Sequence, residues 1–256
     1  MTSTAPETHD RQVDRQFGPV AAAYLTSAVH ASGEDLAETA RRFAGRRNDR
    51  VLDLGCGAGH LAFAIAPQVA AVVAYDLSRD MLGVVAASAA GRGMANIETR
   101  QGAAEALPFG DASFDAVCTR FSAHHWADVP KALAEVRRVL KPGGPLIVID
   151  IVSPGTPLLD THLQTVEVLR DTSHVRDYSV AEWRGMLSAA GFVPGAERRW
   201  KLRMDFATWT ARMRTPPDRA AVIRGLLQGA AGEVRRHFAV EADGSFQIES
   251  AMLEAS

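Results

Sequence analysis

Apolar residues along this chain change their period several times, and each change marks an element. Residues 1–12 are rich in Thr, Ser, Pro and Glu and show no apolar repeat, so they are expected to stay disordered. Phe17, Ala21, Tyr24, Leu25, Ala28 and Val29 then recur at helical spacing, and Leu36, Ala40 and Phe43 predict a second helix ending near Gly45. Short apolar runs follow at 51–54, 70–75, 97–100, 114–119 and 146–152. Amphipathic stretches separate them, through Leu61 and Ile65, through Met81, Leu82, Val85 and Ala89, and through Val129, Leu133, Val136 and Leu140. Continuous apolar runs are strands buried on both faces, and their alternation with helices predicts a parallel sheet covered on both sides. Right-handed crossovers then leave a doubly wound, open α/β sheet.

Beyond residue 152 the rhythm loosens. Helices are predicted at 156–170 and 180–190, with a polar stretch at 171–178 between them, and 192–204 predicts a sixth strand. Residues 206–239 read as helical, with Phe206, Trp209 and Met213 on one face, either a wall for an apolar ligand or ordinary core. The alternation of Phe246, Ile248, Ala251 and Leu253 predicts a final, seventh strand. The expected whole is a single domain with a mostly parallel seven-stranded sheet. It divides into an N-terminal helical lid (1–45), a core (46–152), and helical insertions after strands 5 and 6 with the last strands (153–256).

Composition narrows the function classes. The formal net charge is −2, with no electrostatic footprint for a nucleic-acid partner. Arg41, Arg42, Arg46 and Arg47, and Arg198, Arg199, Lys201 and Arg203, read as solvated faces. The N-terminus has no apolar secretion segment and no run is long enough to span a membrane, which points to a cytoplasmic protein. Cys56 and Cys118 alone make neither a disulfide framework nor a zinc site, and no metal is expected.

The candidate chemistry starts at Asp53-Leu54-Gly55-Cys56-Gly57-Ala58-Gly59, which closes the first strand and opens a helix. Glycine permits positive φ and close backbone approach, and ligands of open α/β sheets bind outside the carboxyl ends of the strands. Asp76 closes the second strand, where a carboxylate accepts ribose hydroxyls. A dinucleotide turn has the form G-x-G-x-x-G, but position 60 here is His. Asp53 precedes the first glycine, where it repels a pyrophosphate yet pairs with the ammonium of an amino acid. The pattern therefore favours an adenosyl amino acid over NAD.

Val51-Leu52-Asp53-Leu54-Gly55-Cys56-Gly57-Ala58-Gly59 resembles the first motif of class I S-adenosylmethionine (SAM)-dependent methyltransferases. Asp76-Leu77-Ser78 with Met81 resembles the second, Glu105-Ala106-Leu107-Pro108-Phe109 with Ser113-Phe114-Asp115 the third and fourth, and Arg138-Val139-Leu140-Lys141-Pro142-Gly143-Gly144 the turn into strand five. The set is similar to the methyltransferase type-11 group, which includes ubiquinone/menaquinone C-methyltransferases and their bacterial relatives. The resemblance implies a Rossmann-like class I methyltransferase fold, SAM as cofactor, S-adenosylhomocysteine (SAH) as product, and a small-molecule acceptor methylated at carbon, oxygen or nitrogen.

It also implies contacts. Gly55, Cys56, Gly57 and Gly59 shape the cofactor loop, Asp53 holds the methionine ammonium, and Asp76 holds the ribose. Leu77 and Met81 flank the adenine, with Ala104 and Glu105 at its edge. Arg120, just past strand four, faces the methionine end, and Tyr24 and His30 belong to a lid. Ala103 stands where many relatives carry an Asp that reaches the adenine amino group, so adenine recognition here falls to backbone groups. His124 and His125, after strand four, are candidate general bases, with loop capping or packing on Trp126 as the plain alternative. His174, Arg176 and Tyr178 are candidates for the acceptor pocket or parts of a surface loop. A SAM-binding protein acting through a partner, and an NAD-dependent oxidoreductase, stand as alternative functions.

Overall fold

Strand β1 (Arg50–Leu54) lies at the centre of the sheet, with Val51, Leu52 and Leu54 buried across its two faces. The structure, a computed structural model that describes residues 7–21 and 33–256, pairs β1 in parallel with β2 (Ala71–Asp76) and β4 (Ala116–Arg120). Outward lie β3 (Ile97–Gln101) on one side and β5 (Leu146–Val152) on the other. β7 (Phe246–Ala255) runs antiparallel between β5 and β6 (Pro194–Met204). The order is β3-β2-β1-β4-β5-β7-β6, the doubly wound, mostly parallel seven-stranded sheet read from the sequence. Strand order reverses between β1 and β4, and the carboxyl ends of these strands open the crevice that such sheets use for ligands.

Helices cover both faces. α1 (His9–Phe17) and α2 (Glu34–Arg42) precede the sheet, and α3 (His60–Ile65) and α4 (Arg79–Gly91) follow β1 and β2. α5 (Val129–Val139) starts where the Asp128 side chain accepts from Lys131 N, and α6 (Pro157–Arg170) follows β5. α7 (Val180–Ala189) begins with a reciprocal capping box of Ser179 and Glu182. Leu52, Leu54 and Val117 pack under α5 and α7, while Val51, Val72 and Cys118 pack on the opposite face under α3 and α4.

Two expectations are corrected. Residues 9–12 are not disordered but form the start of α1, whose N-cap Thr8 accepts from Arg11 N. The helical run expected at 206–239 is three helices, α8 (Phe206–Arg212), α9 (Pro217–Gly229) and α10 (Gly232–His237). Arg214 at φ +52 and the Pro216-Pro217 pair end the first. The basic clusters are solvated faces as read: on the edge strand β6, Arg198 pairs with Glu38, Arg199 with Glu197 and Arg203 with Glu241. Among the described residues no helix is long and apolar enough to cross a membrane.

Candidate active site

The turn after β1 is folded by its own backbone. Gly55 N and Cys56 N both donate to Tyr75 O, at 2.8 and 3.0 Å. Gly55, Gly57 and Gly59 all have positive φ, yet each is glycine for a different reason. A Cβ on Gly55 would lie 1.8 Å from Ser122 Oγ, so glycine lets the loop after β4 close on the turn. A Cβ on Gly59 would press on Val85 and Phe63, so glycine there lets α3 and α4 pack. A Cβ on Gly57 would meet nothing within 4 Å, because it would stand in open cleft.

That cleft spans about 1050 Å³, counting the space open to solvent at its mouth. Asp53, Gly55, Cys56 and Gly57 line it from the turn, Asp76, Leu77 and Met81 from the end of β2, and Ala103, Ala104, Glu105 and Arg120 from the opposite wall. Gly59 does not line it. Asp76 is fixed by two backbone donors, Gly57 N at 2.8 Å and Ser78 N at 2.9 Å. Burial nevertheless raises its carboxyl above the usual range. Asp53 Oδ2 accepts from Ala62 N at 2.9 Å, but its Oδ1 is buried with no hydrogen-bond partner among the described residues. Burial, with the Asp76 charge adding to it, pushes the Asp53 carboxyl up to about 7. Four carboxylates (Asp10, Asp53, Asp76 and Glu105) line the cleft against the single guanidinium of Arg120. Such a field suits a cationic ligand and opposes a pyrophosphate.

Several lining residues were not among the site residues read from the sequence. Asp10, Val13 and Phe17 of α1 form part of the wall. Tyr75 donates from its hydroxyl to Ala103 O at 3.1 Å, which sets the 103–106 turn, and a Cβ on Gly102 would lie 2.0 Å from that hydroxyl. Arg120 is the last residue of β4 rather than past it, and its Nε donates to the Asp35 carboxylate of α2. Tyr24 and His30 lie outside the described residues.

A second cavity of about 600 Å³ opens beside the first. Phe17, Phe121 and His125 line both. Phe121 has φ +51, sparsely populated by bulky residues and held by its N–H donating to Ile149 O at 2.8 Å. Phe17 meets His125 edge-on with centroids 4.9 Å apart. The remaining apolar wall includes Ile151, Leu202, Met204, Trp209 and Ile248. Of the helix face flagged in the sequence, Trp209 and Met213 are wall, whereas Phe206 packs in the core cluster with Phe246 and does not line the cavity.

The two histidines differ. His124 Nδ1 donates to Asp150 Oδ1 at 2.6 Å; burial pulls its pKa down, but the Asp150 carboxylate overrides this and holds it up at about 9. His125 is lowered to about 4 by burial and then by the charge on His124, whose ring lies 4.2 Å away. His125 Nδ1 faces Ser173 O at 3.0 Å, so Nδ1 carries the proton and Nε2 keeps its lone pair. His124 lines only the second cavity.

His174, Arg176 and Tyr178 line neither cavity, against the expectation for an acceptor pocket. His174 Nε2 donates to Gln164 Oε1 at 3.0 Å, and Arg176 pairs with Asp160 and Glu182. Tyr178 stacks edge-on against Trp183. The stretch instead braces the histidine turn, since Val175 N and Arg176 N donate to His124 O at 2.8 and 3.2 Å. Among the described residues no three His, Cys, Asp or Glu side chains are arranged to hold a metal ion.

A family model described as a methyltransferase domain matches residues 52–148. The uncharacterized protein YafE of Escherichia coli strain K12 is 51% identical over 201 residues, 78% of this chain and 97% of YafE. The uncharacterized methyltransferase YcgJ of Bacillus subtilis strain 168 is 38% identical over 239 residues, 93% of this chain and 94% of YcgJ. The YcgJ crystal structure superposes with a TM-score of 0.83 at 36% identity, covering 87% of this chain and 97% of that one. The ubiquinone/menaquinone biosynthesis C-methyltransferase UbiE of Francisella philomiragia is 41% identical over 118 residues, 44% of this chain and 47% of UbiE.

Proposed function

The chain belongs to the class I SAM-dependent methyltransferases, and on that premise we propose that it methylates a small molecule held in the second cavity. The observation that carries the proposal is the shared rim: Phe17, Phe121 and His125 line both cavities, so two ligands meet there. The similarity to UbiE spans under half of either chain. The acceptor is therefore argued from the walls of the second cavity and not from the quinones of UbiE's name.

The first cleft fits the cofactor on its own chemistry. The unpartnered Oδ1 of Asp53 suits the ammonium of the methionine moiety, and the open space at Gly57 leaves room for the ligand backbone. Asp76, pre-set by two backbone N–H groups, is placed to accept ribose hydroxyls, with Leu77 and Met81 as the apolar flank of the adenine and the backbone of Ala103 and Ala104, beside Glu105, at its edge. Arg120 keeps the rim of the cleft in register through Asp35 rather than acting alone. When bound, SAM supplies an electrophilic methyl on a sulfonium.

The protein's own contribution is alignment and exclusion of water. Phe17 and Phe121 narrow the passage between the cavities, and Trp209, Met204 and Ile248 keep the far side dry. His125 stays neutral through physiological pH and presents Nε2 as a hydrogen-bond acceptor or base for a proton on the acceptor. His124, held as a cation by Asp150, keeps it neutral. The test is transfer of labelled methyl from SAM to bacterial extract, with unreacted SAM removed by chromatography and extract lacking the added protein as the control. New label in small-molecule products is the expected result; new label confined to macromolecules contradicts the proposal.

A further inference from the structure

We propose that the second cavity receives a small molecule carrying a protonated amine on an apolar body, with the amine seated at Asp177. This rests on reading that cavity as the acceptor site, and it adds the chemical class of the ligand.

The cavity is divided. Ile151, Leu202, Met204, Trp209 and Ile248, from β5, β6, α8 and β7, make one apolar side. Glu167, Asp171 and Asp177, beside Arg170, Arg212 and His124, make the other. Two of these carboxylates are already answered. Glu167 binds Arg170 at 3.1 Å, and that guanidinium lies 4.8 Å over the Trp209 ring. Asp171 Oδ1 accepts both Ser173 N, at 2.9 Å, and Ser173 Oγ, at 2.6 Å. Just behind, Asp150 is consumed by the Nδ1 and backbone N–H of His124.

Asp177 differs from its neighbours. It is 1% exposed, and its Oδ2 has no hydrogen-bond partner among the described residues. The nearest cationic candidate, His174 Nε2, is 3.9 Å away and turned to Gln164. Burial pulls the His174 pKa far down, so it brings no charge. Burial, joined by the Glu167 and Asp150 charges, pushes the Asp177 carboxyl well above its usual range, although His124 and Arg170 pull against this. A buried carboxyl oxygen without a partner is costly, and a cation brought to it offsets part of that cost.

Two cations on the wall are already paired, Arg170 with Glu167 and His124 with Asp150, and Arg212 has contacts of its own. A ligand carboxylate would meet Glu167, Asp171 and the unpartnered Asp177 oxygen on the same wall. A neutral alcohol would satisfy the oxygen without bringing the charge that favours the ionised carboxylate there. A protonated amine does both, and the opposite wall takes its apolar body.

The test uses the full chain saturated with SAH, titrated calorimetrically with 2-phenylethylamine, 2-phenylethanol and 3-phenylpropanoate. The amine is expected to bind at least about tenfold more tightly than the other two, a difference of roughly 1.4 kcal/mol. Asp177→Asn, with its fold checked by circular dichroism and its SAH affinity unchanged, is expected to remove that preference. An amine that binds no better than the alcohol or the acid, or that displaces SAH, overturns the assignment, as does a preference kept by Asp177→Asn. The comparison among the three ligands is read on the unaltered protein, so it does not depend on the variant folding. Failure of SAH itself to bind would count against the methyltransferase reading instead.

Discussion

The two cavities share a rim but are made in different ways. The first cleft, proposed to hold the cofactor, is built from loops at the carboxyl ends of neighbouring parallel strands, mostly within residues 53–127, and backbone groups do much of its work: Gly57 N and Ser78 N fix Asp76, and Ala62 N fixes Asp53. The second cavity is assembled from side chains of α1, the loop after β4, β5, α6, β6, α8 and β7, which the chain brings together only on folding. A backbone-made site tolerates little change in the few positions that shape it. A side-chain-made site can be altered wall by wall while the sheet stays intact. A common cofactor with different acceptors in one fold is the expected consequence.

The strongest way to break this contrast is Gly57→Val. The residue sits at φ +49, which a β-branched side chain adopts poorly, and its Cβ would enter the cleft. SAH affinity is expected to fall by at least about a hundredfold, a loss of about 3 kcal/mol or more by calorimetry. Retained binding would mean that the turn does not hold the cofactor. Next is Asp76→Ala, which removes the acceptor for Gly57 N and Ser78 N along with the proposed ribose contact. A loss of roughly ten- to hundredfold in SAH affinity is expected, in line with about 1.5–3 kcal/mol for hydrogen bonds to a charged group; unchanged affinity would remove the ribose assignment.

His125→Ala tests the rim from the other side. Turnover should fall about tenfold or more if the ring assists proton removal, while SAH affinity stays within about twofold. Equal turnover would return His125 to a purely structural role.

The smallest effect is one of pH, and it separates the two regions. Asp53 has a folded value of about 7, above the ordinary 3.8, so the folded protein holds its proton where the unfolded chain has lost it. Its effect on the ligand-free protein is therefore a loss of stability as pH rises from about 4 to about 7, and Asp53→Asn should raise the Tm at pH 8. Binding of the cofactor ammonium needs the carboxylate, so the KM for SAM should fall several-fold between about pH 6 and pH 8. With His125 near 4, kcat at saturating SAM should stay flat over that interval. A kcat that halves near pH 6.5 would show instead that His125 titrates as an ordinary histidine.

How much of this the sequence disclosed follows the same division. The apolar runs and helical repeats of 51–152 dictate the sheet, and Asp53, Gly55, Gly57 and Asp76 stand in one short stretch whose chemistry is local. α1 escaped notice because only Val13 and Phe17 are apolar in it. Its other ties are polar and distant: His9 to His125 O, Gln12 to Thr172 O and Gln16 to Met213 O. The 174–178 stretch looked like a pocket because it is polar, but its polar groups satisfy one another and brace the histidine turn. The isolation of Asp177 depends on where Gln164 turns His174, which no spacing records.

The most direct test of the two-cavity account is the crystal structure of the protein soaked with SAH. The account predicts adenosine beside Asp76, the amino-acid end beside Asp53, and the sulfur facing the rim formed by Phe17, Phe121 and His125. SAH lodged in the second cavity, or bound in the first with its sulfur turned away from that rim, would contradict it.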